Sequence, residues 1–272
     1  MARVHSLFRI SGKLGGLIFY QTSKGSFVKE APRRDKRKWQ EAPEYAAQRA
    51  RASEFGHVSR VAGQWTRAMK DMLEGVYPRD LHARVRALCQ DLIRLDDHDP
   101  GERRVAMGLL NTEAACQILH QWRSQRRDLL PESILNRTGI CPSTLAVHLP
   151  PIAGSRLWNR PTGATAVQFR VHWGFILPET DEMVAVSAKG PVRPLDEPHP
   201  RPLVLAPGPA ICSEDLAIIF VEVRFLGHGA QSTSNDPAIL ASQLKVLHLT
   251  HLADDQDHRQ PIRQNPDLYH PN

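Results

Sequence analysis

The chain has 272 residues, 41% of them hydrophobic, with 35 Lys/Arg against 29 Asp/Glu and a formal charge of +6. That length buries a sizeable core in one large or two smaller domains, while 21 Pro and 17 Gly argue against a long helical bundle. The opening MARVHSLFRI lacks the apolar stretch of a signal peptide and no run approaches the roughly 18 apolar residues of a membrane span, so neither secretion by that route nor a membrane partner is expected.

Charge is unevenly placed along the chain. Residues 1–75 carry 15 Lys/Arg against 7 Asp/Glu, whereas residues 141–272 carry 10 against 13. A positive head on a mildly acidic body suits nucleic acid, an anionic surface, or the acidic part of another copy of the chain. The cysteines Cys89, Cys116, Cys141 and Cys212 show no paired spacing and read as mostly buried thiols of a reducing compartment.

In chain order, residues 7–30 predict a β-hairpin. LGGLIFYQ is an extended apolar segment, TSKGS a turn in which Gly25 takes positive φ, and SFVKE the returning strand. An isolated hairpin is marginal in water, so Leu17, Phe19, Tyr20 and Phe27 need a cover, and with Trp39 they form the expected assembly interface. The preceding Gly12-Lys13 does not make a phosphate loop. Leu14 stands where the magnesium-binding hydroxyl belongs, and a strand follows where a helix is needed.

Residues 31–43, APRRDKRKWQEAP, form a basic linker between Pro32 and Pro43. Arg33, Arg34, Lys36, Arg37 and Lys38 can contact phosphates and Trp39 can stack on a base, but no known DNA-reading scaffold surrounds them, and protein contact is the preferred reading. Helical spacing then sets in. Phe55, Val58, Ala62, Trp65, Met69 and Met72 mark a helix ended by Gly75 and Pro78, and Leu81, Val85, Leu88, Leu92 and Leu95 mark a second. A third helical region spans about 102–130, with Val105, Leu109, Cys116, Leu119 and Trp122 inward and Gly108 or Asn111-Thr112 as places where it could split.

Beyond Cys141 the period changes to that of strands: residues 144–149, 164–171, 183–188, 201–206, 216–225 and 244–249. Turns between them are too short for crossover helices, which predicts an antiparallel β-sandwich or related barrel. The resulting fold class is α+β: β-hairpin and basic arm (1–43), helical region (44–140), β-sandwich (141–252) and a polar tail (253–272). No internal repeat is evident.

No motif for catalysis, metal or cofactor stands out. His248 and His251 with Asp254, Asp255, Asp257 and His258 have ligand chemistry, but on a strand the two histidines face opposite sides, and ordinary solvated polar side chains are the preferred reading. Asp96-Asp97-His98-Asp99 reads as a helix-end cap. No G-x-S-x-G elbow or reactive-cysteine signature occurs, so the expectation is a chain without catalytic residues, metal or cofactor.

Gly12-Lys13-Leu14-Gly15-Gly16 with Phe19 and Tyr20, then Pro32 to Pro43, then Ala46-Ala47-Gln48-Arg49-Ala50-Arg51, resembles a group of bacterial and phage-associated structural proteins. The resemblance covers about the first quarter of the chain and brings no catalytic residues. It implies a virion-like or other particle component with a C-terminal β-sandwich. The chain departs from that group in a longer segment between helix and sandwich, and in Lys38–Pro43 where an Asn-Pro-Arg-Thr-Pro turn is usual.

Taken together, the sequence predicts a non-enzymatic structural subunit, synthesised in the cytoplasm, that forms a homo-oligomer or joins other particle subunits by completing its marginal sheet. The alternatives are a nucleic-acid-binding accessory protein using the arm, and a glycan-binding or hydrolytic protein with a site in the sandwich loops near Trp158 or Trp173.

Overall fold

The chain divides into two units, residues 1–50 and 51–272. The computed structural model describes residues 2–4, 11–23, 25–31, 36–125, 129–130, 132–151, 160–195, 202–208, 216–227 and 238–251. Arg33, Arg34, Trp158, Cys212 and the 253–272 tail lie outside the described residues.

In the first unit, β1 (Ala2–Val4), β2 (Gly12–Leu14), β3 (Leu17–Thr22) and β4 (Gly25–Glu30) form an antiparallel sheet in the order β1-β4-β3-β2. The expected single extended segment LGGLIFYQ is therefore two strands. Leu14 pairs with Leu17, and the intervening Gly15-Gly16 makes a two-residue turn, with Gly15 at φ 59°. Only a residue tolerant of positive φ closes a hairpin this tightly. Lys13, opposite Ile18, is a strand residue.

Part of the expected linker is helical: α1 spans Lys36–Glu41, and a 3-10 turn, Pro43–Tyr45, leads into α2 (Ala46–Met72). Pro43 fits there because the first helical N–H has no partner to lose. Arg49 Nη1 donates to the carbonyls of Trp39 (2.7 Å) and Ala42 (3.0 Å), fastening α1 to the start of α2.

Within the second unit, α2 buries Val58, Val61, Ala62, Trp65, Thr66, Met69 and Met72, a stripe at helical spacing. Phe55, expected in that stripe, is instead 55% exposed. The helix ends where Glu74 (φ 47°) and Gly75 (φ 89°) turn left-handed. There follow α3 (Leu81–Ile93), α4 (Val105–Leu110), α5 (Thr112–Gln121) and α6 (Glu132–Leu135). The expected third helix is thus interrupted at Asn111, whose ψ of 71° leaves the helical region. Gly108 does not break it. Its bare Cα faces α3 so closely that a Cβ would sit 1.9 Å from the Leu92 carbonyl oxygen.

The strands of this unit are β5 (Gly139–Ile140), β6 (Val147–Leu149), β7 (Ala164–Leu177), β8 (Glu182–Lys189), β9 (Arg193–Pro194), β10 (Leu203–Leu205), β11 (Leu216–Gly227) and β12 (Ala238–His251). They make a five-stranded sheet, β12-β11-β7-β8 with β9 on β7, and a three-stranded one, β10-β6-β5, antiparallel throughout. Side chains alternate across the large sheet. Ile176, Ile218 and Phe220, with Leu244 and Val246, share a core with Trp65, Met69, Leu92, Leu109 and Leu119 of the helices. Phe169, Trp173, Ile219, Val223 and Phe225 share another with Val147, Leu149 and Leu205 of the small sheet.

The α+β class with antiparallel C-terminal sheets is present. Helices, rather than a second sheet, cover one face of the large sheet, so the segments on either side of residue 140 are layers of one folded unit.

Candidate functional site

Strand pairing decides what the aromatic residues of the N-terminal sheet can do. Phe19 lies opposite Val28 and Tyr20 opposite Phe27. Because neighbours in a strand point to opposite faces, Leu17, Phe19 and Val28 share one side while Ile18, Tyr20 and Phe27 share the other. Leu17, Phe19, Tyr20 and Phe27, expected at the assembly interface, are therefore divided between the two faces of the sheet. Tyr20 and Phe27 stack at 5.8 Å, with the Lys29 ammonium 5.5 Å from the Tyr20 ring. Across residues 11–50, no described side chain is fully buried, and Leu14 is 71% exposed.

Of the basic arm, Lys36, Arg37 and Lys38 are described. Arg37 pairs with Glu41 and Lys38 with Glu44, each at 3.1 Å in exposed positions, contacts of little energetic weight. Trp39 presents part of its ring on the same short helix. Trp173, the described half of the expected glycan platform, is fully buried and donates its Nε1–H to the Leu145 carbonyl at 2.9 Å. That position excludes it as a stacking surface. Among the described residues no three His, Cys, Asp or Glu side chains group to hold a metal, and no helix is long and apolar enough to cross a membrane.

Two polar arrangements in the second unit escape the sequence reading. The first lies on the helical face of the large sheet. Arg170 forks both oxygens of Glu74 (2.7 and 3.1 Å), Lys189 reaches the same carboxylate at 3.0 Å, and Arg224 Nη1 donates to it at 2.7 Å. Arg224 also donates to the Met72 carbonyl and to Glu222, whose other oxygen meets His172 Nε2 at 2.9 Å. Ser242 hydroxyl donates to Glu222 as well. Arg170, His172, Glu222 and Arg224 are all buried.

Hydrogen bonds from Arg170 first, then from Lys189 and Arg224, hold the Glu74 carboxyl far below its ordinary value. Burial alone would raise Glu222, but donation from His172, Arg224 and Ser242 outweighs it and the net direction is down.

Ser187 hydroxyl lies 2.6 Å from His172 Nδ1, so hydroxyl, imidazole and carboxylate fall in line across β8, β7 and β11. The neighbouring guanidinium groups, which would have to polarise a carbonyl, are already engaged with Glu74 and Glu222. The arrangement ties four strands to the end of α2.

The second arrangement is a cleft of about 560 Å³ lined by Ser53, Gly56, His57 and Arg60 of α2 and by residues 101–104. The loop wall is set by Asp96. Expected to be a solvated cap, it is buried and accepts from the backbone N–H groups of His98 (3.1 Å) and Arg104 (2.7 Å) and from the His98 ring (2.6 Å). These bonds outweigh burial and lower its pKa, while Asp96 raises that of His98.

Behind the cleft stands Asp181, in the β7–β8 turn at φ 59° and fully buried. Its Oδ1 accepts the Ala106 N–H at 2.7 Å, and its backbone carbonyl accepts Trp65 Nε1–H at 2.9 Å. Its Oδ2 has no hydrogen-bond partner, with His57 Nε2 3.4 Å away and Arg104 Nη1 at 3.8 Å.

Neither set was legible as a site. His57 and Arg60 sit three apart on a helix, but Asp181 comes from a turn far along the chain. Comparison of the chain with protein-family models, curated proteins and solved structures finds no match.

Proposed function

We propose that the chain is a non-enzymatic structural subunit that assembles with copies of itself through residues 1–50. One observation carries this reading: a four-stranded sheet with apolar side chains on both faces and no fully buried residue among those described. A sheet of this size gains independent stability only when an apolar face is covered. Here two faces need covering, and β1 and β2 leave two strand edges.

The occupant is a second copy. The excess of Lys/Arg over residues 1–75 is opposed by the acidic excess over residues 141–272, so head-to-body contact between copies is electrostatically matched. Such a contact is heterologous, giving a ring when it closes and a filament or lattice when it does not. Two patches on opposite faces let one subunit hold a neighbour on each side.

Sedimentation velocity on the full-length chain tests this with Phe19→Ser and Tyr20→Ser, one for each face. Both variants are expected to shift the distribution toward the single-chain species, and the double variant further still. Leu110→Ser, at an exposed position of α4 outside both the basic head and the acidic body, is expected to leave assembly unchanged. Multimers that survive the double variant in full would refute the reading.

A further inference from the structure

The cleft between α2 and the 101–104 loop has the parts of an anion site. Arg60 Nη2 donates to His57 Nδ1 at 3.0 Å, and Arg104 Nη1 lies 3.8 Å from Asp181 Oδ2. Among the described residues neither has the hydrogen-bonded carboxylate that would satisfy a guanidinium, and both are exposed at the mouth. Arg103 stands beside them, directed to the His98 carbonyl (3.0 Å) and 3.9 Å from Glu54. Glu54 in turn accepts the Gly101 N–H at 3.2 Å, and Glu102 is the acidic residue in the cleft's lining.

The imidazole has one acceptor nitrogen when neutral. Two donors compete for it, Arg60 Nη2 at Nδ1 (3.0 Å) and the Val105 backbone N–H at Nε2 (3.4 Å), and the shorter bond puts the lone pair on Nδ1 and the hydrogen on Nε2. Asp181 Oδ2, the buried oxygen without a hydrogen-bond partner, lies 3.4 Å from Nε2. Burial first, and then the charges of Arg60 and Arg104, hold the His57 pKa below its ordinary value against the pull of Asp181. Among the described residues those three are the charged groups that face the ring, with Glu102 and Arg103 farther round the mouth and Glu54 beside Arg103.

We propose that this cleft binds a phosphate-type oxyanion between Arg60, Arg104 and His57, and that His57 takes up a proton from solvent as the anion enters. A dianion there offsets the two guanidinium charges that oppose protonation. Arg60 turns from the ring to the ligand, and Nδ1 gains a proton with which to donate to the anion. The imidazolium Nε2–H is then drawn to Asp181 Oδ2, supplying the missing partner. The positive charge gained is shared between a buried carboxylate and the bound anion, the arrangement that makes histidine a binding-coupled proton acceptor.

Calorimetric titration of the full-length chain with sodium sulfate tests this, because sulfate stays doubly charged across the pH range used and any proton taken up belongs to the protein. In two buffers of different ionisation enthalpy at equal pH, the heats are expected to differ in the sense of proton uptake. Affinity is expected to fall as pH rises from about 6 to 8. Arg60→Gln and Arg104→Gln, both exposed, are each expected to weaken binding at least about tenfold. His57→Gln is expected to abolish the buffer dependence and flatten the pH profile while residual binding persists.

Parallel titrations with inorganic phosphate and a short oligothymidylate distinguish the biological source. Tighter, salt-sensitive oligonucleotide binding lost in Arg104→Gln points to a nucleic-acid backbone, and binding of free phosphate alone points to a small phosphate ligand. Absence of binding for all three anions overturns the proposal, as does binding indifferent to Arg60→Gln with Arg104→Gln, or proton uptake that persists in His57→Gln. These variants leave residues 1–50 untouched, so the outcome is separate from that of the assembly test.

Discussion

Glu74 shows how one residue can close a helix and neutralise a sheet. It occupies the left-handed region, a conformation that costs a non-glycine residue about 1 kcal/mol or more, and from there its carboxylate meets Arg170, Arg224 and Lys189. Glu74→Gln should destabilise the second unit by about 2–3 kcal/mol, less than a fully buried pair, because this carboxylate remains 42% exposed. Urea unfolding followed by tryptophan fluorescence measures the change.

Acid sensitivity carries the same signature. Glu74 and Glu222 have folded-state pKa values below the ordinary 4.5, so the unfolded chain binds protons more readily than the folded one as pH falls. Their contribution is present above that value and is lost as pH drops through it toward the depressed folded values. The melting temperature is expected to decline steeply below about pH 4.5, and less steeply in Glu74→Gln. The sequence concealed this network because Gln168, Arg170 and His172 alternate with apolar neighbours, the usual pattern of a solvated strand face. What covers that face is the end of α2, which local periodicity cannot announce.

At the scale of elements, helices with a regular apolar stripe were readable and the interruptions were less so. The stripes of α2 and α3 sit as spacing predicts from Val58 to Leu92, because each position meets the same core. Gly108 and Gly174 look like breakers in sequence yet lie inside α4 and β7. Their role is clearance: a Cβ on Gly174 would stand 3.1 Å from the Met183 sulfur, and on Gly108 it would collide with the α3 backbone. Gly108→Ala is therefore expected to cost about 3 kcal/mol or more, since the obstructing atom is a carbonyl that cannot rotate away. Circular dichroism melts of the single variant give the value.

β12 extends well before its apolar segment because Ser242 and Gln243 are used inside the fold. Gln243 Oε1 accepts the backbone N–H groups of Leu129 and Leu130 at 2.6 and 3.1 Å. Buried polar side chains with such partners look like loop residues until the partner is known. On the N-terminal sheet the opposite held: period-two alternation separates Phe19 from Tyr20, and this was legible once the strand was accepted.

For the molecule as a whole, the contrast between its two units is the basis of the assembly proposal. Residues 51–272 build two apolar cores on a shared sheet, whereas the described part of residues 1–50 has apolar side chains and no buried one. The glycine-rich opening that suggests phosphate chemistry is the turn of that sheet, and the cleft suited to an oxyanion lies elsewhere, on α2. The central claim is that residues 1–50 are covered by another copy. Mass photometry of the full-length chain over a dilution series tests it most directly: discrete multiples of the single-chain mass that dissociate on dilution are predicted, and a single-chain species at every concentration would contradict the account.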